Sequence, residues 1–417
     1  MKTQSRLIFW SGMIGNTLDH YDIALYVFLI PVTAPIFFPN IDPVISLICA
    51  FAMKSTSIIS KPIGALLFGK LAFKYSTKNL LSITLAGVGI GTFCVGLIPG
   101  YQQIGVMAPI LLILVRTVQG IFAAGEYTIA TVFVMDQIKD KTKIGRSSTV
   151  LLFSTMCGSL LASCAATLVS KSSHPEIYWR YAFLAGLATT IPGIILRMMI
   201  KYPDQQITSA PLKTKSTLKL VIEHRDRIFK IIIITSFSWI TYLVPFIFLN
   251  SFVPLISLNK VEDLLLHTTI LLVINNAMIP IIMTFIDKLN IIKWMAIMSG
   301  LFCISIIPIF LSLPYLSIIG IDIVKLWIII LGVCFSSTFS ALIFKMSKGP
   351  EKYIVTGFGY SLGSEILGRN ASVFCLGLWH ISKSLLAPAL YLMIISFLTT
   401  YILIKEYKNN SLTTSNI

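Results

Sequence analysis

Residues 15–39 read GNTLDHYDIALYVFLIPVTAPIFFP, an apolar run that carries Asp19, His20 and Asp22 in its first half. An ionised side chain at the centre of a membrane helix costs at least about 2.5–3.5 kcal/mol. If this segment crosses a membrane, its acids face protein or water and not lipid. The rest of the chain argues that it does. Of 417 residues, 56% are hydrophobic and 12% charged, with a mean hydropathy of +0.85, whereas soluble domains carry about 25% charged residues. The apolar runs are mostly 20 residues or longer, which at about 1.5 Å per residue covers a hydrocarbon core of about 30 Å. Strands of a membrane barrel would alternate apolar and polar residues, so the chain reads as an all-α membrane protein.

Twelve spans are expected, at roughly 7–30, 45–68, 80–99, 105–135, 147–169, 181–200, 229–252, 264–286, 292–313, 318–345, 353–379 and 384–404. The polar insert 201–228 separates the first six from the last six, giving halves 1–200 and 229–404 and a polar, disordered tail 405–417. Residues 2–30 open with Lys2 and Arg6 as a signal peptide does, but the apolar run is long and no A-x-A site follows, so the first helix is expected to stay. With both termini cytoplasmic, 24 of the 33 cations fall on the cytoplasmic side. Lys171, Arg180, Lys260, Lys325 and Lys383 fall outside, and Lys54, Lys61, Arg116 and Arg369 within spans. The net charge of +16 is thus a topology signal of the positive-inside kind and does not point to nucleic acid. The seven cysteines lie in apolar runs without C-x-x-C pairs, and no histidine stands at metal-ligand spacing, so they read as buried thiols with no metal centre.

Asp19, Asp22, Lys54, Lys61, Arg116, Glu126, Glu365 and Arg369 all fall inside expected spans. Asp19 and Asp22 share one helix face, as do Lys54 and Lys61. Either these four line a cavity, or they pair across neighbouring helices, with Lys61 alternatively snorkelling to the interface. His20 points elsewhere and reads first as a hydrogen-bonded packing residue. In RTVQGIFAAGE, residues 116–126, small residues at 120, 123, 124 and 125 allow a close helix crossing. There Arg116 can hold an acid ionised until a solute displaces it, or can form a permanent pair with Glu126 or Asp22. Glu365 and Arg369, four apart, read first as a pair on their own helix.

Together these segments resemble the metabolite:proton symporters of the major facilitator superfamily, a family that includes carriers of proline and betaine and of α-ketoglutarate. The first helix is similar to the family's G-N-x-x-E-W-Y-D-F-x-x-Y, with Asp19 for Glu and His20 for Trp. SKPIGALLFGKL, residues 60–71, is similar to R-P-[IL]-G-A-x-x-F-G, with Lys61 for Arg. Residues 116–126 are similar to R-x-x-Q-G-x-x-x-G-G-E, with Asp136 as the acid that follows, and YWRYAF, residues 178–183, to W-R-x-x-F. The resemblance implies twelve transmembrane helices in two six-helix halves, with the solute site between them.

Two departures stand out. The family's loop G-x-x-x-D-R-x-G-R-K is GKLAFKYSTK here: Gly69 and Lys78 persist, while Phe73, Lys74, Ser76 and Thr77 replace Asp, Arg, Gly and Arg. In the family that Asp resembles a cytoplasmic latch, pairing with basic groups and a helix N-terminus, and Asp287 and Lys288 form a partial copy in the second half. GRNAS, residues 368–372, stands for G-G-x-A-P and introduces Arg369.

The expectation is a secondary-active carrier of the bacterial inner membrane, multi-pass and monomeric, without cofactor or metal. Its partners are lipid, a small polar solute and a proton, and the proton gradient drives it. Asp19, Asp22 and Arg116 are the candidates for coupling and solute contact, Glu126 for relay, and Lys54 and Lys61 for attraction of a carboxylate. A proline or glycine betaine type zwitterion comes first, and a di- or tricarboxylate such as α-ketoglutarate or citrate second. A non-transporting sensor or scaffold is the reading from another class. No nucleophile–base pair or phosphate loop points to an enzyme, and GVGIG at 87–91 reads as packing glycine.

Overall fold

The computed structural model describes residues 2–39, 49, 57–72, 74–136, 144–199, 217–257, 261–347 and 352–414. Lys54 and Phe73, and the side chains of Asp19, Thr77 and Asp136, lie outside the described residues. The described chain is helical throughout, in the order α1 (Lys2–Phe28), α2 (Ile30–Phe37), α3 (Ser57–Leu71), α4 (Thr77–Leu97), α5 (Tyr101–Ile104), α6 (Met107–Asp136), α7 (Ile144–Ser170), α8 (Pro175–Met199) and α9 (Thr217–Glu223). Next come α10 (Arg225–Leu243), α11 (Leu249–Ile256), α12 (Val261–Phe285), α13 (Ile291–Ser312), α14 (Ile318–Ser336), α15 (Phe339–Met346), α16 (Lys352–Leu362), α17 (Ala371–Ser382) and α18 (Leu386–Thr414). Among the described residues eight helical runs are long and apolar enough to cross a membrane, or nine if the pair α1–α2, bent by 60°, is one span. Pro31 in the first turn of α2 accounts for the bend, because it has no N–H to continue the ladder of α1. Two π-helical turns, Val244–Phe248 and Gly363–Arg369, join α10 to α11 and α16 to α17.

The helices turn apolar side chains outward and bury polar groups within an interior that is itself largely apolar. Leu168, Ile304 and Phe397 are exposed, whereas Thr84, Thr235, Ser299 and Thr399 are fully buried. This arrangement suits a surrounding as apolar as the side chains that meet it, with polar groups satisfied between helices. α1 packs on α7, α3 and α4 on α6, and α4 on α8; α13 packs on α18, and α10 on the second π turn. The contacts of α7 with α12 and of α3 with α16 join these groups. Backbones meet where glycine permits: a Cβ on Gly64 would lie 2.3 Å from the Ile121 carbonyl oxygen, and one on Gly120 2.3 Å from Ser60 Oγ. Gly87 meets the Phe122 ring and Gly91 the Gln119 side chain, so GVGIG packs α4 on α6 as expected. Asn16 clamps α1 to α7 by donating to Ser154 Oγ (2.7 Å) and Thr155 Oγ1 (2.9 Å).

Four expectations are corrected. The tail 405–417 was expected to be disordered, but α18 continues to Thr414: no Gly or Pro interrupts it, and Glu406 accepts from Lys230 Nζ at 2.5 Å. The insert 201–228 holds α9, which buries Leu220, and the start of α10. Lys325, counted outside with the loop cations, is fully buried in α14 and donates to Asn250 Oδ1 (2.7 Å) and Thr268 Oγ1 (3.3 Å). Of the seven free cysteines only Cys334 and Cys375 are buried, and Cys164 is exposed, because a thiol is apolar enough for the outer face of such a helix.

Candidate functional site

Asp22 lies on α1, buried, where α1 meets α4 and α6. Thr92 donates to its Oδ1 and Gln119 Nε2 to its Oδ2, the latter at 2.5 Å, while Arg116 Nη1 stands 3.8 Å from Oδ2. Arg116 Nη1 also donates to Gln119 Oε1 at 2.7 Å, and the guanidinium lies 4.1 Å from the Tyr26 ring centroid. The amide therefore bridges cation and anion. Its side chain fits because Gly91 leaves the space beside it. Arg116 Nε and Nη2 are buried and make no hydrogen bond among the described residues.

A second ionic group faces the first. Glu365 sits in the π turn Gly363–Arg369, and its Oε1 receives Arg369 Nη1 at 2.7 Å from its own helix and Lys61 Nζ at 2.8 Å from α3. Ser57, one turn before Lys61, donates to Oε2, and Asn370 Nδ2 donates to the Glu365 carbonyl that the π turn frees. The Arg369 guanidinium lies 3.8 Å from the Trp239 ring centroid, and its Nε has no partner among the described residues. π turns recur at functional sites because they displace a side chain from the regular helix face.

One cavity joins the two groups, lined by Asp22, Tyr26, Ser57, Lys61, Arg116 and Arg369 together with Ile23, Gln119, Gly120 and Ala123. A second, uncharged cavity begins on the other side of Ile23, lined by His20, Trp239, Tyr242, Tyr360 and several hydroxyls. His20 is buried, donates from Nδ1 to the Asn16 carbonyl (2.9 Å), and lies parallel to Trp239 at 6.4 Å between centroids.

The geometry brings together Asp22, Arg116, Lys61 and Arg369 and sets Glu126 apart. Glu126 is buried on α6 and accepts from Thr84 Oγ1 at 2.6 Å, but it does not line the cavity. Of the two pairs considered for Arg116, the one with Asp22 is present. Glu365 and Arg369 pair as expected, with Lys61 as a further partner. Thr92, Tyr26, Ser57 and Trp239 were missed, since neutral polar and aromatic residues in apolar runs carry no local signal. In the loop regions Asp287 Oδ1 accepts from the Arg146 N–H at 2.9 Å, in the first turn of α7, and Gly145 leaves it room. Gly69 touches Ile354 on α16, Lys74 and Lys288 are exposed, and Lys78 is half-buried. In YWRYAF, Arg180 Nη1 donates to the carbonyls of Gly96 (3.1 Å) and Ile98 (2.5 Å), tying α8 to the end of α4.

Comparison with known proteins follows the fold. The glycine betaine/proline/ectoine/pipecolic acid transporter OusA of Dickeya dadantii (strain 3937) is 27% identical to this chain over 437 positions, covering 96% of this chain and 83% of that protein. The proline/betaine transporter of Salmonella typhimurium is 36% identical over 191 residues, 45% of this chain and 38% of that protein. The solved structure of the proton:xylose symporter XylE bound to 6-bromo-6-deoxy-D-glucose matches with a TM-score of 0.74 at 13% identity, covering 98% of this chain and 96% of that one. The family model of the Major Facilitator Superfamily matches residues 45–364. With a match over most of its length and the corresponding helical fold, the chain belongs to the major facilitator superfamily.

Proposed function

We propose that the protein is a secondary-active transporter that imports a small zwitterionic solute of the proline or glycine betaine type together with a proton, by alternating access. One observation carries this reading: one cavity has Asp22, Arg116 and Lys61, from the packed helices α1, α6 and α3, on one side and Arg369 of the π turn on the other. An ammonium group fits beside Asp22 and Tyr26, and a carboxylate beside Lys61 and Arg369, whose Nε is unpartnered among the described residues. Arg116 stands beside Asp22, and its Nε and Nη2, unpartnered among the described residues, offer a second anchor for a carboxylate. Names borne by the relatives, glycine betaine and proline among them, support the solute class. Within this reading the chain is a monomer of the bacterial inner membrane with twelve crossings and both termini cytoplasmic. Residues 1–200 and 229–404 form its halves, and it works without a cofactor or enzymatic step.

The wall groups give a second reading some weight. Among the described residues Lys61, Arg116 and Arg369 meet two carboxylates, Asp22 and Glu365, and an excess cation favours a di- or tricarboxylate. Uptake of labelled proline, glycine betaine, α-ketoglutarate and citrate into proteoliposomes, with and without an inward proton gradient, separates the two. Gradient-dependent accumulation of a zwitterion is the expected result. Accumulation of citrate or α-ketoglutarate alone selects the second reading, and silence on all four removes both.

A further inference from the structure

We infer that Glu365 is the carboxylate that carries the coupled proton, through an exchange in which the solute's own carboxylate takes its place beside Lys61 and Arg369. The inference rests on the symport reading above and names the group that performs it.

The partners of Asp22 come from α4 and α6, which pack with α1 as one group. A change in its protonation rearranges bonds on one wall only. Glu365 bonds across the cleft: Lys61 and Ser57 belong to α3, and Arg369 to its own helical run. Both cations converge on the same oxygen, Oε1. The charged groups that face Glu365 are thus Lys61 from α3 and Arg369 from its own turn, with Asp22 and Arg116 across the cavity. α10 meets the turn at Ser236, which donates to the Gly363 carbonyl, and at Trp239, whose ring lies against the Arg369 guanidinium, and neither side chain titrates. Lys54 and the side chain of Asp19 lie outside the described residues.

The charge count then links proton and solute. Protonation of Glu365 alone, a proton passing from a hydronium ion to the carboxylate and leaving water, sets two buried cations against a neutral acid, which is costly. Entry of a solute carboxylate alone matches the two cations in number but sets it beside the ionised Glu365 at the same donors, so the two anions repel and compete. Both together restore the original balance, with Oε1 replaced by a solute oxygen and the proton held on Glu365. Each ligand therefore tightens the other's binding by the same factor. The exchange also removes the Lys61–Glu365 link between α3 and the π turn, so a solute-loaded, protonated carrier is free to move. On the other side the proton returns to water, and Glu365 reclaims both cations as the solute leaves.

The test measures equilibrium binding of labelled glycine betaine and proline to the purified full chain between pH 5 and 9. For the wild type, Kd is expected to rise by up to about tenfold per pH unit above the titration of the site. Glu365→Gln, a permanent mimic of the protonated acid, is expected to remove that slope and, in proteoliposomes, to equilibrate solute without accumulating it against a proton gradient. Lys61→Gln, which leaves the acid but takes one cation away, is expected to move the pH curve towards higher pH, and it decides the matter if Glu365→Gln does not fold. A wild-type slope in Glu365→Gln, or an unmoved curve in Lys61→Gln, overturns the inference and leaves the symport reading standing. Absence of gradient-driven accumulation in the wild type overturns both.

Discussion

Arg116 Nη1 stands 3.8 Å from Asp22 Oδ2, with the Gln119 amide bonded to both side chains. The amide thus links cation and acid, and two of the Arg116 nitrogens have no hydrogen-bond partner among the described residues. Arg116→Ala strips a buried anion of its partner, a change that costs about 3–5 kcal/mol. At about 1.4 kcal/mol per tenfold, uptake normalised to inserted protein is expected to fall at least about a hundredfold, with membrane insertion intact. Normal uptake in this variant would remove Arg116 from the solute path.

Gln119 is the second member of that relationship. Gln119→Leu keeps the volume and removes a donor to a charged oxygen, an interaction of about 1.5–3 kcal/mol. Initial uptake rates over a range of solute concentrations are expected to show KM raised about tenfold or more, and Thr92→Val should act in the same direction. Unchanged kinetics in both variants would mean that the amide bridge does not organise the site.

Hydropathy and charge placement made the helical architecture legible, because lipid tolerates few alternatives to apolar helices. They also picked out Asp22, Lys61, Arg116, Glu365 and Arg369, since a charge in an apolar run has to be explained. What pairs with what was not legible. Lys61 meets Glu365 through the packing of α3 against α16 and the π turn, a contact that no local spacing encodes. Asp322 and Lys325 stand three apart in an apolar run, yet the cation count placed Lys325 outside although the expected span 318–345 contains it. The π turn at Gly363–Arg369 was hidden for a related reason: the Asn370 side chain bonds the Glu365 carbonyl there, and an asparagine in an apolar run does not say which carbonyl it meets.

Asp287 is the surviving acid of the two loop motifs, and it bonds the first turn of α7, where unpaired N–H groups favour a negative charge by about 0.3–1 kcal/mol. Asp287→Asn is expected to loosen the seam between α7 and α12. The readout is maleimide labelling of Cys157, which donates to Asn276 across that seam at 3.6 Å, in a chain whose other six cysteines are replaced. The labelling rate should rise about two- to fivefold, as the same energy range implies. Phe73→Asp, which restores the family's other acid, should lower the rate or raise transport. If neither substitution moves labelling or transport, the latch plays no part in setting the balance of states.

Lys325 tests the opposite case, a buried charge outside the transport path. Its ammonium holds Asn250 on α11 and Thr268 on α12, and Asp322, one turn earlier, pairs with His267. None of these residues lines the central cavity. Lys325→Ala takes the ammonium from Thr268 Oγ1 and from Asn250 Oδ1, which keeps only the Thr268 hydroxyl as a donor among the described residues, at about 1–3 kcal/mol. The apparent melting temperature in detergent is expected to fall by about 2–10 °C, while the KM for solute at room temperature stays at the wild-type value. Lys325→Met, which refills the volume, should recover part of the lost stability, because an apolar side chain no longer has to be desolvated as an ion. A raised KM with an unchanged melting temperature would assign the cluster to the solute path instead of to the scaffold.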